Sequence, residues 1–491
     1  MTTESSTQKA AVLHDGETAS NELRRRNVST EPRCLRTPTS SMAVIESSAG
    51  SYHYTAEGRK LMDFTSGVLV SNLGHNPTRW WKRLYDYLGH GELIQKLHDG
   101  ISETDEQFVR AAPLTVYNAV SPLEVEACER LLKSMRSESG GARMEQVLWA
   151  ASGSEAVQKA LWASLAHRKE GDIIIATRDG FHGKKGLSAA ITGNENSPDR
   201  DPRVRFISFP KEECYSVEKR REPLDLTKYE AELTALANEF GSRLCCVVTE
   251  PYLGGGGSFH PQKEYLQLLQ RFCRERDIPF ILDEIQANFG RTGSMYAYSH
   301  YGVEPDIVLL GKGLGNGIPV DAAVGRSDLF GALGYGDGSD TWSAHPLGCA
   351  AVLATLDEFE AGNVIEECQE LGSVLEAGLL RLTELPAVAA VRGEGTVWGV
   401  EFQALESDKA ESGTHTPEEV AMAAVAACYY GDGAGHAIHV LGPLAGRVIR
   451  IAPPLVLSTA EAQEYLDAMY NILSRLPEFL SGDENWQPTQ S

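Results

Sequence analysis

Two short apolar runs, each followed at once by polar residues or glycine, decide the fold: residues 280–286 read FILDEIQ and residues 307–317 read IVLLGKGLGNG. Both runs are rich in Ile, Leu and Val, which is typical of strands covered on both faces. Similar runs alternate with helical patterns upstream, at 147–149, 173–176, 204–207 and 244–249. This alternation predicts an α/β fold, with a mostly parallel sheet covered by helices.

The pattern changes near Pro346. A long helical stretch at 347–382 is followed by an apolar run at 397–402, a polar loop at 404–416 and a second apolar run at 448–451. This order predicts a smaller α+β domain. A polar leader at the N-terminus and the Gly-Asp-Glu-Asn tail after residue 480 predict flexible ends.

Composition argues against several classes of function and location. The 491 residues include 45 Lys and Arg against 68 Asp and Glu, a formal charge of −23, which argues against a nucleic-acid partner. The longest near-apolar stretch, 420–430, is too short to span a membrane, and the leader has no apolar core typical of a secretory signal. Nine scattered cysteines without a CxxC motif predict reduced thiols in a cytoplasmic protein rather than disulfides or a metal site.

Polar residues follow the predicted strands, and in open parallel sheets ligands bind beyond the carboxyl ends of the strands. The residues expected at this edge are Ser152, Gly153, Ser154, Phe181, His182, Glu250, Asp283, Gln286 and Lys312. Each alone has a structural explanation: Ser152 as a helix N-cap, Phe181 in a core, His182 as a buried structural histidine, or Lys312 in a solvated loop.

Together these residues fit one cofactor. Pyridoxal phosphate needs a lysine to form an imine, a carboxylate to keep its ring nitrogen protonated, an aromatic face and a phosphate anchor. Lys312, Asp283 and Phe181 match the first three needs, and the helix start at 152–154 offers N–H groups to a phosphate. No GxGxxG motif opens the first βα unit, so a dinucleotide site is disfavoured.

The motifs also resemble, in order, those of the class III pyridoxal-phosphate aminotransferases, which include the ornithine, 4-aminobutyrate and ω-amino-acid enzymes. The resemblance covers about 35–475 and is carried by Asp63-Phe64, Gly74-His75, Ser152-Gly153-Ser154, Phe181-His182-Gly183, Glu250-Pro251, Asp283-Glu284-Ile285-Gln286, Gly311-Lys312-Gly313, Thr341-Trp342 and Arg450. It implies fold type I and a homodimer with shared active sites. The implied division is a flexible leader (1–34), a segment packing with the small domain (35–84), a large cofactor domain (85–345), a small C-terminal domain (346–480) and a disordered tail (481–491).

The resemblance assigns roles by position. Lys312 is the Schiff-base lysine and proton shuttle of a ping-pong transfer from an amino acid or ω-amino compound to a 2-oxo acid, and Asp283 pairs with the ring nitrogen. The remaining cofactor contacts are Gln286 to the ring oxygen, Phe181 and His182 at the ring, Ser152, Gly153 and Ser154 at the phosphate, and Thr341 at the phosphate of the partner subunit. Arg450 binds the substrate carboxylate.

Three departures bear on the substrate. Where relatives have a glutamate that masks the carboxylate-binding arginine, this chain has Gly255. Lys184 replaces the arginine that holds the distal carboxylate of 2-oxoglutarate, keeping the charge without bidentate geometry. The unmasked Arg450 also suits an alternative, a decarboxylating transaminase of the dialkylglycine type. Against it, the reactive-face glutamine of that type is Val68 here.

Overall fold

The computed structural model describes residues 11–102, 107–198, 200–407, 410 and 413–482. The strands in these ranges are β1 (Ile45–Ala49), β2 (Tyr52–Thr55), β3 (Lys60–Asp63), β4 (Gln146–Ala150), β5 (Ile173–Thr177), β6 (Val204–Ile207), β7 (Leu244–Thr249), β8 (Phe280–Asp283), β9 (Ile307–Leu310), β10 (Asp321–Gly325), β11 (Val388–Glu394), β12 (Val397–Phe402), β13 (Leu405–Glu406), β14 (Thr414–His415), β15 (Ile438–His439) and β16 (Val448–Ile451).

The α-helices in the same ranges are α1 (Thr18–Thr30), α2 (Ser66–Leu69), α3 (Thr78–Leu88), α4 (Gly91–Asp99), α5 (Pro122–Ser137), α6 (Gly153–His167), α7 (Gly186–Ala190), α8 (Val217–Arg220), α9 (Thr227–Phe240), α10 (Lys263–Arg276), α11 (Ala297–Tyr301), α12 (Ser327–Phe330), α13 (Pro346–Ala361), α14 (Val364–Leu380), α15 (Pro417–Tyr430), α16 (Thr459–Ser474) and α17 (Leu476–Leu480). Short 3-10 helices lie at Arg33–Leu35, Gly241–Arg243, Lys312–Leu314 and Arg381–Glu384.

A seven-stranded sheet forms the centre, in the order β4-β10-β9-β8-β7-β5-β6. β10 runs antiparallel to both neighbours, and the pairs formed among β5 to β9 are parallel. Strands β5, β7, β8 and β9 are buried throughout, because separate apolar clusters pack on the two faces of the sheet. The predicted α/β fold is confirmed, and the six predicted strands of this sheet are present.

Two smaller sheets join the ends of the chain. β11, β12 and β16 form an antiparallel sheet, while β15 pairs in parallel with β3 in the order β1-β2-β3-β15. The N-terminal strands therefore share a sheet with the C-terminal third. The domain limits at 84, 345 and 480 stay predictions.

Capping side chains fix the helix starts as the sequence predicts. The Ser121 hydroxyl accepts the Glu124 N–H before α5, and Thr416 and Glu419 form a complete capping box with Pro417 at the first position of α15. These contacts satisfy N–H groups that a helix start leaves without partners.

Two regions differ from the predictions. The helical stretch at 347–382 is divided at Gly362 and Asn363 into α13 and α14. Part of the predicted flexible leader is helix α1, in which the buried Arg24 pairs with Glu17 and donates to the Tyr429 hydroxyl. Residues 483–491 of the predicted tail lie outside the described residues. Across the described ranges, no helix combines the length and apolar character needed to cross a membrane.

Candidate active site

A cavity of about 410 Å³ lies beyond the carboxyl ends of the parallel strands. Most of the side chains predicted for this edge meet there, because parallel strands end at the same side of a sheet. The lining includes Ser152, Gly153, Ser154, Phe181, His182, Glu250, Asp283, Gln286 and Lys312.

The start of α6 forms one wall. The Ser152 hydroxyl accepts the Glu155 N–H, and the Glu155 carboxylate accepts the Ala151 N–H, so Glu155 supports the turn. Ser154 lies so close to Gly183 that a Cβ at Gly183 would be 2.3 Å from the Ser154 hydroxyl oxygen. The loop after β5 can approach this helix start only with glycine at 183, leaving a cradle suited to a phosphate.

Asp283 ends β8 at the base of the cavity and is almost fully buried. One carboxylate oxygen lies 2.7 Å from Nδ1 of His182, and the other accepts the Ile285 N–H at 3.1 Å. Burial disfavours a charged imidazole, yet the hydrogen bond to Asp283 holds the pKa of His182 above its ordinary value. His182 therefore orients the carboxylate and supports its negative charge.

Lys312 follows β9 and faces the same cavity. Its backbone has φ +49°, a left-handed conformation that costs about 1–3 kcal/mol in a non-glycine residue. Burial lowers the pKa of its amine, and Asp283 acts in the opposite direction. A lysine with a lowered pKa keeps more of the neutral amine that a nucleophile or base requires.

Glu250 holds the loop that carries Phe181. Its carboxylate accepts the Phe181 N–H at 2.9 Å and the Gly254 N–H at 3.2 Å, and burial raises the pKa of Glu250 to about 7. A Cβ at Gly255 would lie 2.9 Å from the Phe181 Cβ. The absence of a side chain at 255 therefore lets the aromatic ring stand at the rim.

Arg450 reaches the cavity edge through Gln286, to whose side-chain oxygen it donates at 3.0 Å. Burial lowers the pKa of Arg450, and among the residues that the structure describes no carboxylate forms an ion pair with it. A buried guanidinium without a carboxylate partner suits an anionic ligand.

The structure does not bring three predicted residues to this cavity. Thr341 lies on an exposed loop, held by Lys159, which contacts Asp340 and Ser343 at 2.8 Å. The Lys184 side chain is exposed and faces a separate depression beside Trp162. Val68 is 38% exposed, in a segment where it has φ +67°, and Val70 lines the cavity instead.

Sequence reasoning missed Asp321, which begins β10 and lines the cavity. A Cβ at Gly311 would lie 1.9 Å from its carboxylate oxygen, so Asp321 fills the space that the Gly311 backbone leaves open. Burial raises the pKa of Asp321 to about 7. A polar residue at the start of an Ala-rich run gave little signal for a strand in a buried sheet.

The cavity fits pyridoxal phosphate on its own geometry. The His182 Nε2 atom is buried and has no hydrogen-bond partner within the described ranges, while Nδ1 is committed to Asp283. The glycine-lined cradle at 153 and 183, the carboxylate at the base and the buried lysine match the phosphate, ring nitrogen and aldehyde of that group.

Comparison with known proteins supports the same interpretation of the cavity. The family model described as Aminotransferase class-III matches residues 96–473. A probable 4-aminobutyrate aminotransferase from Bacillus subtilis is 27% identical over 434 residues, covering 86% of this chain and 90% of that protein. An acetylornithine aminotransferase from Gloeobacter violaceus is 28% identical over 458 residues, covering 91% and 97%.

Solved structures share the fold. The ornithine aminotransferase of Toxoplasma gondii aligns with a TM-score of 0.73 at 22% identity, covering 94% of this chain and 96% of that one. A PLP-bound amine transaminase from an uncultivated Pseudomonas species aligns with a TM-score of 0.72 at 23% identity, covering 91% and 97%.

Proposed function

This chain belongs to the class III aminotransferases, and from that premise we propose how its own residues carry out transamination and which substrates they accept. The protein is a pyridoxal-phosphate-dependent transaminase of fold type I. Its substrates are an amino donor and a 2-oxo acid acceptor, which would react in two half-reactions of a ping-pong cycle. The comparisons give the decarboxylating alternative no better support.

One observation carries the assignment of residues: Lys312, Asp283 and the start of α6 line a single cavity. Bound pyridoxal phosphate supplies an electron sink for the substrate's α-carbon. Asp283, oriented by His182, would hold a proton on the ring nitrogen. Lys312 would anchor the cofactor and then move a proton to and from the substrate, because burial lowers the pKa of its amine.

Replacing Lys312 with alanine should abolish turnover, with a loss of roughly a thousandfold or more, and should remove the visible absorbance of the lysine-linked cofactor. Lys184→Ala is the matched control, since this exposed lysine lies outside the cavity. Asp283→Asn should keep the fold and the cofactor but slow the chemical step. Near-normal turnover in Lys312→Ala would overturn the assignment.

For the acceptor, we propose a small 2-oxo acid with one carboxylate. Arg450 offers the fork that binds one carboxylate bidentately, and Gly255 leaves it unmasked by glutamate. Lys184, which the sequence assigned to a distal carboxylate, faces another depression. Among the described residues, Lys184 therefore does not serve as a cationic partner for the second carboxylate of 2-oxoglutarate in the cavity of its own chain.

An acceptor panel tests this proposal. Pyruvate and glyoxylate should exceed 2-oxoglutarate in kcat/KM by about tenfold or more, since an unmatched charged group forfeits roughly 1.5–3 kcal/mol. Arg450→Lys should lower kcat/KM for each acceptor, whereas Lys184→Ala should change none. Preference for 2-oxoglutarate, or a selective loss of it in Lys184→Ala, would refute the proposal.

A homodimer with shared sites is also proposed. Large apolar side chains are exposed along 94–120, a concentration typical of surfaces that a partner covers. They are Ile94, Leu97, Ile101, Phe108, Leu114, Tyr117 and Val120. Thr341 is exposed on its loop and would reach the phosphate of the partner subunit. The cytoplasmic location stays a prediction.

A hybrid of two inactive variants tests the sharing. If Thr341 serves the opposite site, mixing Lys312→Ala with Thr341→Ala subunits creates hybrid dimers in which one site is fully wild type. Activity should then recover to about half the wild-type value per hybrid dimer. If Thr341 serves its own chain, no intact site forms, and the mixture stays as inactive as its components.

A further inference from the structure

A second cluster of potential ligands lies in the four-stranded sheet, outside the cofactor cavity. His53 belongs to β2, Asp63 ends β3, and His75 follows in the loop after α2. One ligand atom from each lies within 4.8 Å of the other two. The Asp63 Oδ2 atom is 2.7 Å from Nε2 of His75 and 3.4 Å from Nε2 of His53.

The cluster is held in place by further contacts. The Ser48 hydroxyl lies 2.7 Å from Nδ1 of His53, which leaves Nε2 of that ring facing Asp63. The other Asp63 oxygen accepts both the N–H and the hydroxyl of Thr65 at 2.7 Å. Such outer contacts orient ligands in metal sites, and here they aim the free oxygen of Asp63 at both imidazoles.

The distances between the ligand atoms are compatible with a tetrahedrally coordinated metal ion. Bonds of 2.0–2.1 Å place neighbouring ligand atoms about 3.3 Å apart in a tetrahedral zinc site, close to the 3.4 Å between His53 and Asp63. The 2.7 Å between His75 and Asp63 would open by about 0.6 Å as the metal replaced their hydrogen bond. Two imidazoles and a carboxylate favour zinc over Mg²⁺, which prefers oxygen ligands.

A fourth donor stands nearby. His439 pairs with Asp63 across β15 and β3, and its ring centre lies 5.3 Å from that of His53. Its Nδ1 atom is buried without a hydrogen-bond partner among the described residues. A buried polar atom without a partner is costly. His439 lies outside the group of ligand atoms within 4.8 Å of one another, so its ring would have to move to bind the same ion.

We propose that His53, Asp63 and His75 bind one zinc-class divalent cation, with His439 or water as the fourth ligand. The His53 and Asp63 side chains are 8% and 0% exposed, and that of His75 is 13% exposed, so the ion would enter past His75. The site is structural: it would fix Asp63 and, through Thr65, the N–H of Gly67 in α2.

The test is Zn²⁺ titration of the tag-free holoenzyme by calorimetry, after chelator treatment and dialysis. One Zn²⁺ should bind per chain, Mg²⁺ should not bind, and Co²⁺ should give the intense visible bands of a tetrahedral site. His53→Gln should weaken Zn²⁺ binding by roughly a hundredfold or more. His436→Gln is the control, because His436 also contacts two carboxylates but lies outside the cluster.

His75→Gln could unfold the segment, so the decisive comparison is His53→Gln, checked for an unchanged circular dichroism spectrum and bound cofactor. Zn²⁺ should raise the Tm of the wild type and of His436→Gln but not that of His53→Gln. Absence of stoichiometric Zn²⁺ binding, or binding of equal strength in His53→Gln, would overturn the proposal.

Discussion

Asp321 offers the sharpest test of the electrostatics of the cavity. It begins β10 and is 8% exposed, and burial raises its pKa to about 7 although Lys312 acts in the opposite direction. Replacing it with asparagine keeps the size of the side chain and removes the titration. The effect on stability should therefore depend on pH.

The direction of the pH dependence follows from the number of protons bound in the folded and unfolded states. In the unfolded chain an aspartate ionises near pH 4, whereas in the folded chain Asp321 keeps its proton until about pH 7. Between these values the unfolded state binds fewer protons, so the free energy of unfolding falls as pH rises. Above pH 7 the free energy of unfolding is lower by about 4 kcal/mol than at acid pH, and about 1.5 kcal/mol of this decrease has occurred by pH 5.

Asp321→Asn should remove this loss. The free energy of unfolding in urea is measured for the cofactor-free mutant and wild type at one protein concentration. The difference, mutant minus wild type, should be more positive at pH 8 than at pH 5 by about 3 kcal/mol. Differences in packing between the amide and the protonated carboxyl cancel in this comparison. The control is Asp306→Asn, which loses ion pairs to Arg143 and Arg326 and should be destabilised at both pH values.

An equal change at pH 5 and pH 8 in Asp321→Asn would refute the reasoning, since the carboxyl would then titrate alike in the folded and unfolded states. A change of the opposite sign would mean that Lys312 holds Asp321 ionised in the folded protein.

Three further changes test the surroundings of the cavity. Gly255→Ala should displace Phe181, whose Cβ would lie 2.9 Å away, and weaken cofactor binding by about tenfold in a fluorescence titration; Gly91→Ala, which has open space around it, should leave it unchanged. Arg291→Lys should lower the free energy of unfolding by about 3 kcal/mol in urea, because lysine cannot reproduce the fork of a buried guanidinium, and a loss below 1 kcal/mol would contradict this. Glu250→Gln should remove an inflection near pH 7 from the profile of kcat/KM, since burial raises the pKa of Glu250 to about 7; an unchanged inflection would assign it to another group.

The sheet shows what the sequence can predict and what it cannot. Six of its strands centre on short apolar runs, interrupted only by Arg205 in β6, and the hydrophobic pattern identifies them. β10 was missed because four of the five residues in Asp-Ala-Ala-Val-Gly have weak strand preference, and Val324 alone has a strong one. Its position between β4 and β9 makes the sheet mixed, and it also delivers Asp321 to the cavity.

Helix limits depended on contacts that no local pattern contains. α1 is mostly polar, and it is anchored through Arg24 to Tyr429, distant in the chain. Gly362 and Asn363 divide a stretch whose apolar periodicity continues on both sides. Tertiary contacts decided the first case, and two residues with low helix preference decided the second.

The site residues also divide into those that the sequence placed at the cavity and those that it did not. Residues expected directly after a strand, such as Asp283 and Glu250, line the cavity, because strand direction fixes where they emerge; their roles stay predictions. Lys184 lies further along the loop after β5, and Val68 lies inside α2, where its backbone is not helical. At both positions local backbone conformation sets the direction of the side chain. Val68 has a positive φ, which nothing in its β-branched side chain indicates.

Arg291 restricts how this chain can be recombined with its relatives. Its fully buried guanidinium donates to Asn72 and Ser66 near the N-terminus and to the Pro453 carbonyl near the C-terminus. A chimera that exchanged 346–480 alone would replace the segment that contains Pro453 but keep Ser66 and Asn72. The buried Arg291 guanidinium would then have to fit acceptors from two different proteins. Modular exchange should therefore succeed only when the N-terminal strands and α2 travel together with the C-terminal third.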